Sequence, residues 1–118
     1  MDNKDFAKQL EIRTRKFAVS IIKLSVDLPN SPESRVLRNQ ITKSGSSVGA
    51  NYREANRSRS KADFANKVRI SEGEASETVY WLEIINDLDW LDFKGKEVMK
   101  EAQEILAIFT SISKNLRG

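Results

Sequence analysis

Two pairs of glutamates in the second half of the chain have the spacing that a metal site on helices needs. Glu74 and Glu77 form one pair and Glu101 and Glu104 the other, each pair one helical turn apart. Mg²⁺ prefers hard oxygen ligands together with substrate phosphates, so such pairs on neighbouring helices could serve a magnesium-dependent nucleotide hydrolase. However, the second pair borders an apolar stripe and would face solvent. We therefore predict no metal site and no cofactor, and keep the hydrolase as the weakest alternative.

The chain contains neither histidine nor cysteine. Histidine is the commonest general base and metal ligand, so its absence removes most acid–base and zinc chemistry. The absence of cysteine removes thiol nucleophiles and any disulfide framework. We therefore predict that the protein is not an enzyme and has no catalytic residues.

Cations crowd the end of the second predicted helix and the turn that follows it. With two further cations earlier on that helix, the candidate nucleic-acid-binding residues are Arg53, Arg57, Arg59, Lys61, Lys43 and Arg38. Arginine and lysine neutralise phosphates, and the neighbouring Tyr52 could stack on a base, so the cluster predicts binding of RNA or DNA. The alternative is a solvated helix end, where cations are favoured by the negative C-terminus of the helix.

Two consecutive segments of the chain carry opposite charge. Residues 31–61 hold an excess of arginine and lysine, whereas residues 62–92 hold an excess of aspartate and glutamate. Such neighbours are typical of faces that pack together within one bundle or oligomer. A dedicated basic surface for nucleic acid is the other explanation, and the charge pattern alone favours the first.

Apolar residues recur at helical spacing in four segments, which predict helices over about residues 5–28, 32–57, 61–87 and 94–116. Ser31 before Pro32, and Ser60 three residues before Asp63, have the sequence of helix N-caps. Connections of a few residues require antiparallel neighbours. The prediction is one all-α domain, an up-down-up-down four-helix bundle.

The first and third predicted helices carry a second apolar stripe beside the one that faces the core. These extra stripes comprise Ile12, Val19, Ile22 and Val26, and Ile70, Tyr80, Trp81, Ile84 and Leu88. Two stripes are more than one core needs, so such a helix either sits deep in a bundle or shares a face with another subunit. In the connection between the third and fourth helices, we predict that Trp90, Leu91 and Phe93 close one end of the core.

A run of small residues occupies the middle of the second helix, from Ser44 to Ala50. The short turn before the third helix sets a register in which Gly45 lies opposite Gly73, and Gly49 lies opposite Arg69. We therefore predict that the second and third helices approach closely at these three glycines. The run lacks the Gly-Lys-Ser/Thr sequence of a phosphate-binding loop. Asn51 is placed on the core face, where a buried amide must find hydrogen-bond partners.

Three blocks of sequence together resemble a known family. They are S-S-V-G-A-N-Y-R-E-A at residues 46–55, S-K-A-D-F at residues 60–64 and E-A-S-E-T-V-Y-W-L-E at residues 74–83. In order and spacing they resemble the bacterial four-helix-bundle family encoded within intervening sequences of 23S ribosomal RNA genes. That family is similar to the accessory variability proteins of diversity-generating retroelements. Its polar pattern falls on Ser47, Asn51 and Glu54, and a later glutamate falls on Glu77. We interpret these four as structural polar specifiers, and a binding site is the alternative role of Asn51, Glu54 and Glu77.

The resemblance implies a homopentameric ring and association with nucleic acid, and in the retroelement members contact with a reverse transcriptase. We therefore predict a non-enzymatic, oligomeric helical bundle that binds RNA or DNA through repeated basic patches. The alternative is a protein–protein scaffold for a reverse transcriptase or a ribosomal component. No apolar run reaches membrane-spanning length and no signal-peptide pattern begins the chain, so we expect no membrane partner and a cytoplasmic location.

Overall fold

The computed structural model describes residues 2–117 as four α-helices with no strand among them. The helices are α1 (Asn3–Val26), α2 (Pro32–Ala55), α3 (Lys61–Asp87) and α4 (Phe93–Arg117). They form an elongated body of 44 × 25 × 22 Å. The predicted all-α, four-helix architecture is confirmed, and every predicted helix bound lies within two residues of the observed one.

A short polar side chain fixes the start of each helix by accepting a hydrogen bond from a backbone amide in the first turn. Asp2 accepts from Asp5 N at 2.8 Å, and Ser31 accepts from Ser34 N at 3.1 Å. The caps of the other two helices are Ser60, 3.0 Å from Asp63 N, and Asp92, 2.7 Å from Gly95 N. The chain therefore encodes where its helices begin through caps as well as through apolar periodicity.

The helices surround one core in an up-down-up-down arrangement. α1 and α3 each contact α2 and α4 but not one another, so they occupy diagonal corners. The core comprises Leu10, Phe17, Ile21, Leu28, Ile41, Val48, Tyr52, Ala55, Val68, Ala75, Leu82, Ile85, Ala102, Ile105 and Phe109. Trp90 and Leu91 pack against this core as predicted, but Phe93 is 76% exposed and does not. The expectation for Phe93 was wrong because α4 begins at that residue and directs the ring outward.

α1 and α4 share the least extensive of the four helix contacts. A groove of about 560 Å³ lies between them, with Phe6, Ile12 and Ile108 among its walls. Arg13 crosses this groove and donates two hydrogen bonds to Glu101, at 2.7 and 2.8 Å. The contact between these two helices therefore depends on an ion pair as well as on apolar packing.

Two buried hydroxyl contacts join α2 to α3. Thr78 Oγ1 lies 2.8 Å from Ser44 Oγ, and Ser71 Oγ donates to the carbonyl of Val48 at 2.9 Å. Because a serine side chain reaches the neighbouring backbone directly, the two helices must lie close together here. These contacts fix the antiparallel register of α2 and α3.

The glycines do not form this contact, contrary to the prediction. A β-carbon at Gly45 would lie 2.8 Å from Ile21 Cγ2, and one at Gly49 would lie 2.8 Å from Thr14 Oγ1, both on α1. Gly73 is exposed, with nothing within 4 Å of the place a β-carbon would take. The small-residue run therefore serves two neighbours, its glycines facing α1 and its Ser44–Val48 side facing α3.

Candidate nucleic-acid interface

One end of the bundle collects exposed cations from all four helices. We call it the basic end and define it by Lys4, Lys8, Arg53, Arg57, Arg59, Lys61, Lys114 and Arg117. The topology brings them together, because α1 and α3 begin where α2 and α4 end. The opposite end carries Asp27, Glu33, Asp87, Asp89, Asp92 and Glu97 against fewer cations. The basic end also carries carboxylates, but cations outnumber them there, whereas carboxylates slightly outnumber cations at the opposite end. Charge is thus modestly separated along the long axis of the molecule. The carboxylates of the basic end are Asp2, Asp5, Glu11, Glu54 and Asp63.

Two of the carboxylates at the basic end have a cationic partner, and within residues 2–117 Asp2, Asp5 and Asp63 form no ion pair. Glu11 accepts a hydrogen bond from Asn56 Nδ2 at 2.8 Å and lies 3.6 Å from Arg53 Nε. Glu54 lies 3.2 Å from Lys67 Nζ. Among the ion pairs formed within residues 2–117, none involves Arg57, Arg59 or Lys61. The outermost cations of this end therefore face solvent with their charge uncompensated by a direct contact.

Two of the six candidate cations lie outside the basic end. Arg38 is at the other end of α2, where its guanidinium donates to the backbone carbonyls of Leu28 and Pro29, the latter at 3.0 Å. It holds the α1–α2 turn, and the expectation that it contacts nucleic acid is not supported. Lys43 lies near the middle of α2, close enough to Glu74 to interact with its carboxylate.

Tyr52 is not a surface residue that could stack on a ligand as predicted. Its side chain is 2% exposed and meets the Phe109 ring edge-on at 5.3 Å between centroids. Burial raises the pKa of the Tyr52 hydroxyl above its ordinary value, and the adjacent Asn56 amide partly offsets this. Tyr52 takes the core position that the sequence prediction gave to Asn51, one residue earlier on the helix.

The four polar specifiers lie along the outer side of α2 and α3. Asn51 Nδ2 donates to the Ser47 carbonyl at 2.8 Å, and Ser47 Oγ donates to the Lys43 carbonyl, so both bond within their own helix. Glu77 accepts from Trp81 Nε1 at 3.1 Å, also within one helix. Of the four specifiers, only Glu54 links α2 to α3 within residues 2–117, through its ion pair with Lys67. The buried contact between these helices is made instead by Ser44, Ser71 and Thr78.

The two glutamate pairs do not meet. Glu101 pairs with Arg13, and Glu104 lies 3.6 Å from the same guanidinium, whose pKa these carboxylates raise. Burial raises the pKa of Glu74, and the neighbouring Glu77 raises it further. Within residues 2–117 no three carboxylates come close enough to hold a metal ion. The arrangement gives no support to the hydrolase alternative.

Comparison with known proteins agrees with the resemblance seen in the sequence. The model of the 23S rRNA-intervening sequence protein family matches residues 4–111. The chain belongs to this family. The crystal structure of a protein of unknown function from the S23 ribosomal protein family of Bacteroides thetaiotaomicron VPI-5482 is similar to it, with a TM-score of 0.80 and 37% identity. That match covers 89% of this chain and 98% of the other. No curated protein matches the chain.

In this member of the 23S rRNA-intervening sequence family, half of the cations that define the basic end were not predicted from the sequence. Lys4 and Lys8 come from the start of α1, and Lys114 and Arg117 from the end of α4. They are far from Arg57 in sequence, and only the up-down topology unites them. That topology was itself predictable, so reading the two chain ends together would have found them.

None of the helices within residues 2–117 has the length and apolar character of a membrane span.

Proposed function

We propose that this protein binds RNA or DNA through the basic end and does so without catalysing a reaction. The observation that carries the proposal is the convergence of eight exposed cations, six from the ends of four helices and two from the turn between α2 and α3. Such a cluster attracts a polyanion by releasing its condensed counterions, which requires no particular base sequence. The family description refers to a 23S rRNA intervening sequence, so structured RNA is the first ligand to test.

We further propose that copies of the chain assemble into a closed ring, with the pentamer as the expected size. Val19, Ile22 and Val26 of α1 are exposed, as are Ile70 and Tyr80 of α3. Because α1 and α3 occupy diagonal corners, the two apolar faces point in different directions. A contact between α1 of one copy and α3 of the next is heterologous, and heterologous contacts close into rings when the rotation permits. A ring would repeat the basic end and increase affinity by multivalency.

Two charge-reversal variants with equal net charge test the binding proposal. Arg57→Glu with Arg59→Glu alters the basic end, whereas Lys94→Glu with Lys96→Glu makes the same change at the opposite end. Binding of a labelled RNA hairpin is measured by fluorescence anisotropy from ~50 mM salt upward. The first variant should weaken binding about tenfold and reduce the salt slope by about 2, and the second should have little effect.

Two results would remove the binding proposal. The first is no binding of structured RNA at ~50 mM salt, where phosphate contacts are strongest. The second is equal weakening in both variants, which would mean that net charge and not the basic end governs binding. Mass measurement by light scattering tests the ring separately. A monomer at micromolar concentration would contradict assembly, and Val19→Lys with Ile22→Lys should dissociate a ring.

A second candidate function is a protein–protein scaffold for a reverse transcriptase or a ribosomal component. The exposed apolar side chains favour it, especially Val26 at 69% and Tyr80 at 56% exposure. If the chain forms no ring and binds no RNA, these faces need another partner. Capture of one defined polymerase or ribosomal protein from nuclease-treated lysate, lost on Val26→Lys, would support this function.

A further inference from the structure

We infer that the basic end holds an unpaired nucleobase in a pocket formed where the four helix ends meet. This inference rests on the proposed function and names the part of a nucleic acid that the basic end selects. A cavity of about 520 Å³ lies there, with residues from all four helices in its walls. This volume is larger than a nucleobase and is open to an entering strand.

The walls of the pocket provide flat apolar surface. Phe6 of α1 is 43% exposed, Phe64 of α3 is half-buried, and Ile112 and Leu116 of α4 complete the lining. The buried Tyr52 lies among these residues and holds the helices in place through Phe109. Bases stack on aromatic rings of this kind irrespective of sequence, because every base has a π-face.

Three amides stand among the apolar walls, namely those of Asn3, Asn56 and Asn115. An asparagine side chain offers both a carbonyl acceptor and amide donors, which match the mixed donors and acceptors along the edges of a base. Asn56 already donates to Glu11. Within residues 2–117, the side chains of Asn3 and Asn115 make no hydrogen bond that would have to break on binding.

The charges around the pocket decide between an uncharged apolar ligand and a nucleotide. Lys4, Lys114 and Arg117 belong to the same helix ends as the pocket residues, and Arg57 lies in the turn beside Asn56. These cations outnumber the carboxylates next to pocket residues in sequence, which are Asp2, Asp5 and Asp63. Apolar walls alone would suit a neutral ligand, but such a ligand would leave the surrounding cations unused. A nucleotide uses both, because its base can stack inside while its phosphates meet the cations outside. The base must be unpaired, since a paired base lies within the duplex stack and cannot enter.

Strands that differ only in their bases test the inference. A short single-stranded RNA, the matching DNA and an abasic strand of equal charge are compared by anisotropy. The RNA or DNA should bind about tenfold more tightly than the abasic strand, as expected for one stacked base. Phe6→Ala should abolish this difference and leave binding of the abasic strand unchanged. Phe93→Ala, which removes an exposed phenylalanine at the opposite end, is the matched control and should change neither.

A second readout does not depend on a variant. A strand that ends in 2-aminopurine should lose fluorescence on binding, because that base is quenched when it stacks. Asn115→Ala is a second variant in case Phe6→Ala unfolds the chain, because Asn115 is exposed. It should also reduce the difference in affinity between the base-containing and abasic strands. Equal affinity of the abasic and base-containing strands, with no quenching, would overturn the pocket while the proposed function remains. Failure of every strand to bind would overturn both.

Discussion

The buried hydroxyl pair between α2 and α3 gives a quantitative test of how these helices recognise each other. Ser44 is 1% exposed and Thr78 is 0% exposed, with 2.8 Å between their oxygens. Thr78→Val keeps the shape of the side chain and removes the hydroxyl. The only other hydrogen bond of Ser44 Oγ within the described residues is a long one, 3.4 Å from the Ile41 carbonyl. Thr78→Val therefore leaves the Ser44 hydroxyl buried with only this long hydrogen bond, which should lower the free energy of unfolding by about 1–3 kcal/mol.

The reverse change should be milder. Ser44→Ala leaves Thr78 bonded to the Glu74 carbonyl at 2.8 Å, so the free energy of unfolding should fall by about 1 kcal/mol or less. The double variant removes both partners and should lose no more than Ser44→Ala alone, because nothing polar is left unpaired. The expected coupling free energy between the two sites is therefore about 1–3 kcal/mol, the loss expected for Thr78→Val alone.

Urea denaturation followed by circular dichroism measures all four proteins of this cycle. Ser46→Ala is the matched control, because it is the same substitution in the same helix. Within residues 2–117 the Ser46 hydroxyl hydrogen-bonds only to the Lys43 carbonyl of its own helix. Ser46→Ala should change the free energy of unfolding by no more than about 0.5 kcal/mol. If the double variant loses the full sum of the two single losses, the hydroxyls act independently and the reasoning fails.

Three other predictions follow from single contacts. Gly45→Ala should lower the free energy of unfolding by up to about 2 kcal/mol, because overpacking against Ile21 outweighs the gain of about 1 kcal/mol in helix propensity. Gly73→Ala has no such clash and should raise the free energy of unfolding by about 1 kcal/mol. Equal effects in urea melts would contradict the close approach to α1. Arg38→Met should lower stability by about 1.5–3 kcal/mol through loss of charged hydrogen bonds, while RNA affinity stays unchanged. Glu74→Gln should raise the melting temperature at pH 7 but not in acid. The raised pKa of Glu74 means that its charged form is disfavoured in the folded state. The stability of the wild-type protein therefore recovers as the pH falls through that pKa. A difference that persists in acid would assign the effect to packing.

The helices were predictable because two independent signals agree on them. Apolar residues at spacings of three and four give each helix its core face, and caps such as Ser31 and Ser60 mark where α2 and α3 begin. The face of α2 that meets each neighbour was not predictable. Between Ser44 and Ala50 nearly every residue is small, so no large side chain indicates which side meets α1 and which meets α3. The same ambiguity placed Asn51 in the core instead of Tyr52.

The candidate site was predictable only where it is local in sequence. Arg57, Arg59 and Lys61 follow one another around a turn, so their proximity needs no knowledge of the fold. Lys4 and Lys114 join them through topology alone. The role of Arg38 depends on carbonyl groups of a turn ten residues away, which no pattern of side chains records. Sequence therefore indicated one corner of the basic end, and the packing of four helices supplies the rest.

The separation of charge along the 44 Å axis makes the molecule an electric dipole. A polyanion at a distance exerts a torque that turns the basic end toward it before any contact forms, and this orientation speeds productive encounters at low salt. In a ring with cyclic symmetry the axial components of these dipoles would add, because every copy has the same direction along the axis. One face of the assembly would then attract a nucleic acid more strongly than the other.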